Sequence, residues 1–220
     1  LAYGGMLYAY YQQDYRQALV DVLVAETRGQ TGTDPVRFAL AKGSFAFAEG
    51  LTRWSAETFA HVDSGELEEL DRLRLAFHRA RAHHHAGEWS AMQAELDLIP
   101  AQRRLFGGRR QHPEIGFMRT EAALANGDWQ AAGSALEHIP RRSDYLGYAL
   151  FNLAVGQRRA GDLAAARASL AQLSELSLRT PAGRDLVARG RLGLALLARE
   201  AGEPVDAESI LASLPADARY

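Results

Sequence analysis

The chain has 220 residues, 47% of them hydrophobic, which is enough apolar material for a substantial buried core. Its formal net charge of −2 provides no overall positive field that would attract nucleic acid or an anionic membrane surface. Because cysteine is absent, disulfides, thiol nucleophiles and thiolate metal sites are excluded. No stretch reaches the roughly 18 consecutive apolar residues that a membrane-spanning helix needs.

A short pattern recurs six times along the chain, and each copy starts at an anchor residue. The clearest copy is GDWQAAGSALEHIP, residues 127–140, which proline closes. Consecutive anchors lie 34 to 41 residues apart, a period typical of repeats built from two helices. The six anchors are Gln13, Gly50, Gly87, Gly127, Gly161 and Gly202.

The residues that follow each anchor predict a helix. Five positions after the anchor the side chain is mostly small, and nine and twelve positions after it the side chain is apolar. Ala132, Leu136 and Ile139 illustrate this pattern. Steps of four and three place the three positions on one face of a helix. We therefore expect a second helix in each repeat, with this face buried.

The residues before each anchor predict a first helix. The position ten before the anchor is apolar and the position seven before it is mostly small, as Phe77 and Ala80 illustrate. The small residue should let a neighbouring helix approach closely. A glycine anchor ends the first helix because it can adopt the left-handed conformation. The acidic residue that usually follows, such as Asp128, favours the positive end of the second helix.

Together these patterns predict an all-α protein, an α-solenoid of about six helix-turn-helix repeats that occupies residues 1–220 as a single domain. Because the first helical pattern is already under way at Leu1 and no polar capping element is visible, we expect this segment to belong to a longer chain. The predicted repeats span residues 1–29, 35–63, 66–100, 112–140, 144–176 and 183–215.

The repeats resemble tetratricopeptide repeats, most closely between Tyr148 and Leu173. Aromatic residues two positions after the anchor, at Tyr15, Trp89 and Trp129, fit the same family. The resemblance implies a non-enzymatic scaffold that binds a peptide or protein partner on the concave face of its first helices. The alternative is an accessory or regulatory repeat domain of a larger enzyme or envelope assembly machine, whose chemistry lies outside this segment. The residues in the signature positions of the family are Leu150, Asn152, Leu153, Ala154, Gly161, Ala166, Leu170 and Leu173.

A second resemblance concerns the first repeat. Residues 8–19, YAYYQQDYRQAL, are similar to the start of long proteobacterial tetratricopeptide proteins that are associated with export to the periplasm. This implies a bacterial protein of the periplasm, with the cytoplasm as the alternative location.

The histidines His78, His83, His84 and His85 form the densest titratable cluster in the sequence. A metal site would pair His84 with Glu88 one helical turn later. Adjacent histidines on a helix point about 100° apart, so the run cannot converge on one ion without another helix. A polar helix end is the favoured interpretation, and we predict no metal and no cofactor.

The connection from Pro100 to Pro113 carries four arginines together with Phe106 and His112. These are ingredients of a phosphate or nucleic-acid contact. The acidic overall balance argues against nucleic acid, so we expect an exposed insertion or a contact for an acidic partner. The arginines of this basic loop are Arg103, Arg104, Arg109 and Arg110.

The aromatic column Tyr3, Phe77, Phe117 and Phe151 has two interpretations. The rings belong either to the core between stacked helices, which we favour, or to the groove that binds a partner. Familiar catalytic motifs are absent, including the G-x-S-x-G elbow and the phosphate-binding G-x-x-x-x-G-K loop, so we predict no enzyme. The candidate partner-binding residues around the column are Arg74, Phe77, His78, Arg81, Phe117, Glu121, Tyr148, Asn152 and Arg159.

Overall fold

The computed structural model of the chain describes residues 2–31, 34–65, 67–100, 104–105 and 112–203. Within these ranges the protein is all-α, with eleven helices and no strand. The helices are α1 (Ala2–Tyr11), α2 (Tyr15–Thr27), α3 (Pro35–Ala48), α4 (Thr52–Ala60), α5 (Glu69–Ala86), α6 (Trp89–Asp97), α7 (Pro113–Ala125), α8 (Trp129–Leu136), α9 (Asp144–Arg159), α10 (Leu163–Ser174) and α11 (Pro181–Glu200).

The chain divides into two compact parts, residues 1–107 and 108–220, which we call the N-terminal and C-terminal bodies. In the N-terminal body α1 packs with α2, α3 with α4 and α5 with α6, and each pair packs against the next. In the C-terminal body α7 packs with α8, α9 with α10 and α10 with α11, while α9 also lies beside both α7 and α11. This succession of helix pairs confirms the predicted fold class.

The second helix of the sixth predicted repeat, residues 202–215, lies outside the described residues apart from its first two positions. That residues 1–220 form a single domain stays a prediction.

The second helices bury the face that the sequence pattern predicts. At the position five residues after the anchor, every described side chain is fully buried. One of them, Ser55, is polar, and its Oγ donates a hydrogen bond of 2.8 Å to the carbonyl oxygen of Gly43. The buried hydroxyl therefore has a hydrogen-bond acceptor on the first helix of the same repeat. These buried residues are Ala18, Ser55, Met92, Ala132 and Ala166.

The anchors end the first helices in the left-handed backbone conformation. The glycine anchors have φ angles between 70° at Gly127 and 84° at Gly50 and Gly161. Gln13 has φ 63° and is the one non-glycine residue with positive φ in the described part of the chain. The register that placed Gln13 among five glycines is therefore confirmed by the backbone.

Aspartates cap three of the second helices, namely α2, α8 and α10. The side chain of Asp14 accepts a hydrogen bond from the backbone N–H of Gln17 at 3.1 Å. Asp128 and Asp162 accept the equivalent bonds from Ala131 and Ala165, both at 2.9 Å. Each cap satisfies a backbone donor that the first helical turn leaves without a partner.

The small positions of the first helices admit large side chains from a neighbouring helix. A Cβ atom on Gly43 would lie 2.5 Å from a ring carbon of Phe59, which is fully buried. A Cβ atom on Gly156 would lie 2.6 Å from a ring carbon of Trp129. Both rings therefore occupy space that only a glycine leaves open. At Gly43, seven positions before its anchor, the predicted close approach is observed, whereas Gly156 stands at a position for which none was predicted.

Each body has cores of its own. In the N-terminal body one cluster includes Met6 and Phe45, and a second includes Phe59 and Leu75. Lys42 of α3 adds an ion pair to Glu26 of α2 at 2.7 Å and lies 5.6 Å from the centre of the Trp54 ring. In the C-terminal body the largest cluster joins α9, α10 and α11, with its fully buried leucines Leu150 and Leu173.

Candidate functional site

The candidate residues lie on the first helices α5, α7 and α9. In the N-terminal body α5 packs beside α3, and in the C-terminal body α7 packs beside α9. Each body therefore presents a surface made by neighbouring first helices.

Arg74 of α5 is held by contacts within the N-terminal body. Its Nη1 donates to Asp71 Oδ1 and its Nε donates to the carbonyl oxygen of Leu105, both at 2.8 Å. Asp71 is buried, and its other oxygen lies 3.7 Å from Arg37 Nε. Arg74 thus holds the buried carboxylate of Asp71 and a backbone carbonyl of the connection after α6 in place.

Phe77, His78 and Arg81 continue the same helical face with decreasing burial. Phe77 and His78 are buried, with 2% and 8% of their surface exposed. The His78 ring stacks on Phe59 with its centre 4.8 Å away, and its Nε2 lies 3.4 Å from Ser44 Oγ. The guanidinium of Arg81 lies 3.8 Å from the centre of the Phe47 ring. The aromatic column is therefore core at Phe77.

A cavity of 350 Å³ opens on this surface, and first helices alone line it. Helix α1 contributes three residues, α3 contributes five and α5 contributes three. Its walls combine apolar side chains with the ion-paired Arg37, Asp71 and Arg74. The lining residues are Leu7, Tyr10, Tyr11, Arg37, Leu40, Ala41, Ser44, Phe45, Asp71, Arg74 and His78.

In the C-terminal body the structure brings Phe117 of α7 against two tyrosines of α9. The ring centres of Phe117 and Tyr145 are 5.5 Å apart, and those of Phe117 and Tyr148 are 6.5 Å apart. Phe117 is half-buried, whereas Tyr148 is 41% exposed. The column is thus less buried here than at Phe77, and Phe151 is half-buried as well.

One helical turn beyond these rings, a carboxyl and an amide meet between the same two helices. Asn152 Nδ2 donates a hydrogen bond of 3.0 Å to Glu121 Oε1. Partial burial raises the pKa of the Glu121 carboxyl above its ordinary value, and the hydrogen bond from Asn152 opposes this shift only in part. Four of the nine candidates, Phe117, Glu121, Tyr148 and Asn152, therefore form one cluster.

Comparison with known proteins gives the fold. No protein-family model and no curated protein matches the sequence. The structure is similar to the crystal structure of a tetratricopeptide repeat protein from Parabacteroides merdae, with a TM-score of 0.50 and 14% sequence identity. The match covers 97% of this chain and 96% of that one. This chain has a tetratricopeptide-repeat fold.

The other candidates of this tetratricopeptide-like array are dispersed. Arg159 is the last residue of α9 and is exposed. In the basic loop only Arg104 is described, and it is exposed, whereas Arg103, Arg109 and Arg110 lie outside the described residues. None of the described helices is both long and apolar enough to cross a membrane.

The histidine run at the end of α5 does not form the His84–Glu88 pair that a metal site would use. His83 Nδ1, rather than a nitrogen of His84, lies 2.6 Å from Glu88 Oε2. The left-handed Gly87 turns the chain back, so that the backbone N–H of Glu88 bonds to the carbonyl oxygen of His83 and the two side chains meet. The His84 ring instead lies 5.8 Å from Trp89. Among the described residues, no group of three or more His, Asp or Glu side chains could hold a metal ion.

Several residues of both surfaces were not predicted from the sequence, although they occupy recurring positions relative to the anchors. Arg37 stands thirteen positions before its anchor, as do Arg74 and Tyr148. Tyr145 and Asp71 both stand sixteen positions before theirs. Carrying the position of Arg74 from α5 to α3 would have identified Arg37, whereas Asp71 and Tyr145 share a position at which no candidate was named.

Proposed function

We propose that this protein is a non-enzymatic interaction scaffold that binds a peptide segment of a protein partner along its first helices. The observation that carries the proposal is the 350 Å³ cavity lined by α1, α3 and α5 alone. Three consecutive repeats each contribute one helix to it, so the cavity crosses the repeats and can follow an extended chain.

The lining of the cavity suits a peptide. Leu7, Leu40 and Tyr10 offer apolar surface, which supplies most of the binding free energy at such sites. Arg37, Asp71 and Arg74 add fixed charges that can orient backbone or side-chain groups of the peptide. Because these charges are already paired with one another, they are held in place before a partner arrives.

Two tyrosines of α1 provide a matched test of this surface. Tyr11 lines the cavity and is 76% exposed, whereas Tyr8, at 69% exposed, is not among the lining residues. Peptides would be selected from a displayed random library on the unmodified protein, and their affinities measured for Tyr11→Ala and Tyr8→Ala. Both variants should fold, since neither ring is buried.

We expect Tyr11→Ala to weaken the selected peptides by about tenfold, the effect of losing a central aromatic contact. Tyr8→Ala should bind them as the unmodified protein does. A library that yields no specific peptide, or peptides that Tyr8→Ala weakens as much as Tyr11→Ala, would argue against this function.

The periplasm is the proposed location, with the cytoplasm as the alternative. The support is the resemblance of residues 8–19 to exported tetratricopeptide proteins. Fusing the product of the complete gene to a reporter that is active only after export would test it. Reporter activity in the cytoplasm alone would contradict the proposal.

A further inference from the structure

A second surface, in the C-terminal body, has a different chemistry from the cavity of the N-terminal body. It consists of Phe117 and Glu121 on α7 and of Tyr145, Tyr148 and Asn152 on α9, and we call it the α7/α9 site. The ring centres of Tyr145 and Tyr148 lie 5.5 Å and 6.5 Å from that of Phe117, and the Glu121 carboxyl lies one helical turn further along α7. Glu121 and Asn152 are half-buried and Tyr148 is exposed, so these three side chains are accessible to a partner.

The charge of Glu121 is not compensated within the part of the chain that the structure describes. Its described polar contact is the neutral amide of Asn152 at 3.0 Å, and no described cation forms an ion pair with it. A carboxylate that is partly buried without a neighbouring cation loses hydration, and no ion pair compensates for that loss. A cation bound at this site would therefore stabilise the ionised Glu121 carboxylate.

The acceptors around Glu121 are arranged for a donor with several N–H groups. Asn152 uses its Nδ2 on Glu121 Oε1, which leaves Glu121 Oε2 and Asn152 Oδ1 without a donor among the described residues. A guanidinium group carries five N–H donors in a planar fork and can bond to two such oxygens at once. An ammonium group can also reach both, with less geometric specificity.

The aromatic rings favour the same ligand. The faces of tyrosine and phenylalanine attract a cation within about 6 Å of the ring centre. They also offer apolar surface for the aliphatic stem of a long basic side chain. Tyr148, as the most exposed of the three rings, is best placed to cover such a stem.

We propose that the α7/α9 site binds an arginine or lysine side chain of the peptide partner, with its charged group on Glu121 and Asn152 and its stem along Tyr148. This inference rests on the proposed function, because it specifies one side chain of the peptide that the scaffold binds. It predicts that a bound peptide carries a basic residue at one defined position.

The test uses an acetylated decapeptide library in which each position is varied in turn, probed with the unmodified protein. The strongest peptide would then be titrated in two forms, with arginine and with its neutral isostere citrulline at the selected position. The protein would be used unmodified, as Glu121→Gln, and as the control Glu137→Gln, whose carboxyl is exposed at the end of α8.

We expect arginine or lysine to be enriched at one position. Glu121→Gln should weaken the arginine peptide by about tenfold or more, the effect of losing a charge-assisted hydrogen bond, and leave the citrulline peptide unchanged. Glu137→Gln should bind both peptides as the unmodified protein does. Because glutamine keeps the shape of glutamate and can still accept from Asn152, loss of folding is not expected.

Two results would overturn the inference, and they are distinguishable. Peptides that bind without any preference for a basic residue, or an arginine preference that Glu121→Gln retains, would overturn it while leaving the proposed function intact. Failure of every library peptide to bind the unmodified protein would overturn the proposed function and this inference together.

Discussion

At the scale of single residues, Glu121 links stability to binding. Burial raises its pKa above the ordinary value of 4.5, so the folded protein holds this proton at a higher pH than the unfolded chain does. The stability that the proton provides is fully present below pH 4.5 and is lost as pH rises through the folded pKa. The ionised carboxylate thus destabilises the fold at neutral pH.

Glu121→Gln is therefore expected to raise the melting temperature at pH 7, because a neutral amide replaces a partly buried charge. The difference from the unmodified protein should shrink as pH falls and vanish below pH 4.5, where Glu121 is protonated in both states. Thermal melts between pH 3.5 and 8, with Glu137→Gln as control, would measure this. A variant less stable than the unmodified protein at pH 7 would contradict the prediction.

Gln13 adopts a backbone conformation that costs a non-glycine residue about 1 kcal/mol or more. Gln13→Gly should therefore stabilise the protein by about 1 kcal/mol. The reverse change at an equivalent anchor, Gly127→Gln, should destabilise it by a similar amount, since Gly127 has φ 70°. Urea denaturation of both variants would test the pair. Changes of the same sign would show that the anchors are not equivalent.

At the scale of elements, the first helices depend on glycine where a neighbouring helix inserts a ring. Gly43 and Gly133 both lie inside helices, but only Gly43 has an atom in the way of an added methyl group. Gly43→Ala should cost about 1 to 3 kcal/mol, because Phe59 must move. Gly133→Ala should stabilise by about 0.4 to 1 kcal/mol, because alanine favours the helix. Chemical denaturation would give both values, and equal effects would refute the distinction.

In the aromatic column Phe77 belongs to the core, whereas Phe117 is only half-buried. Alanine substitutions should distinguish a core ring from a ring that binds a partner. Phe77→Ala should cost about 3 to 5 kcal/mol, as for a fully buried ring. Phe117→Ala should cost clearly less and should weaken the arginine-bearing peptide, because Phe117 is half-buried in the α7/α9 site. Melting curves and peptide titrations on both variants would decide this. A loss of stability at Phe117 that matches Phe77, with binding retained, would assign it to the core.

The sequence allowed the helices and their buried faces to be predicted because both follow from a local period. Ala132 and Ile139 are buried and Gly127 is left-handed, as the register requires. The site was predicted only in part, because which first helices lie side by side is not a local property. The contacts of Phe117 with Tyr145 and of Glu121 with Asn152 join residues about thirty positions apart. The pairing of His83 with Glu88 depends on the left-handed backbone of Gly87, which ends the helix between them. Helical spacing predicts which residues are neighbours only within a helix, so it did not predict this pair.

At the scale of the whole molecule, stability should be distributed among neighbouring repeats. In the N-terminal body each helix pair packs against the next, and Phe59 joins α3, α4 and α5 through Gly43 and His78. In such arrays a local defect is felt mainly by its immediate neighbours.

Phe59→Leu should therefore destabilise the N-terminal body locally, by about 1 to 2 kcal/mol. Amide hydrogen exchange measured by mass spectrometry should rise most in α3, α4 and α5 and least in α1. An equal rise in all helices of that body would show that it unfolds as one cooperative unit instead.

Lys42 is the only lysine of the chain, and it is engaged by Glu26 with 17% of its side chain exposed. Amine-directed chemistry therefore has a single side-chain target in this segment. Cross-linkers that join lysines cannot map a partner on either first-helix surface, and reagents that activate carboxylates or photoreactive groups are needed instead. For the same reason, any cellular modification that requires a lysine of this segment must first break the ion pair between Lys42 of α3 and Glu26 of α2.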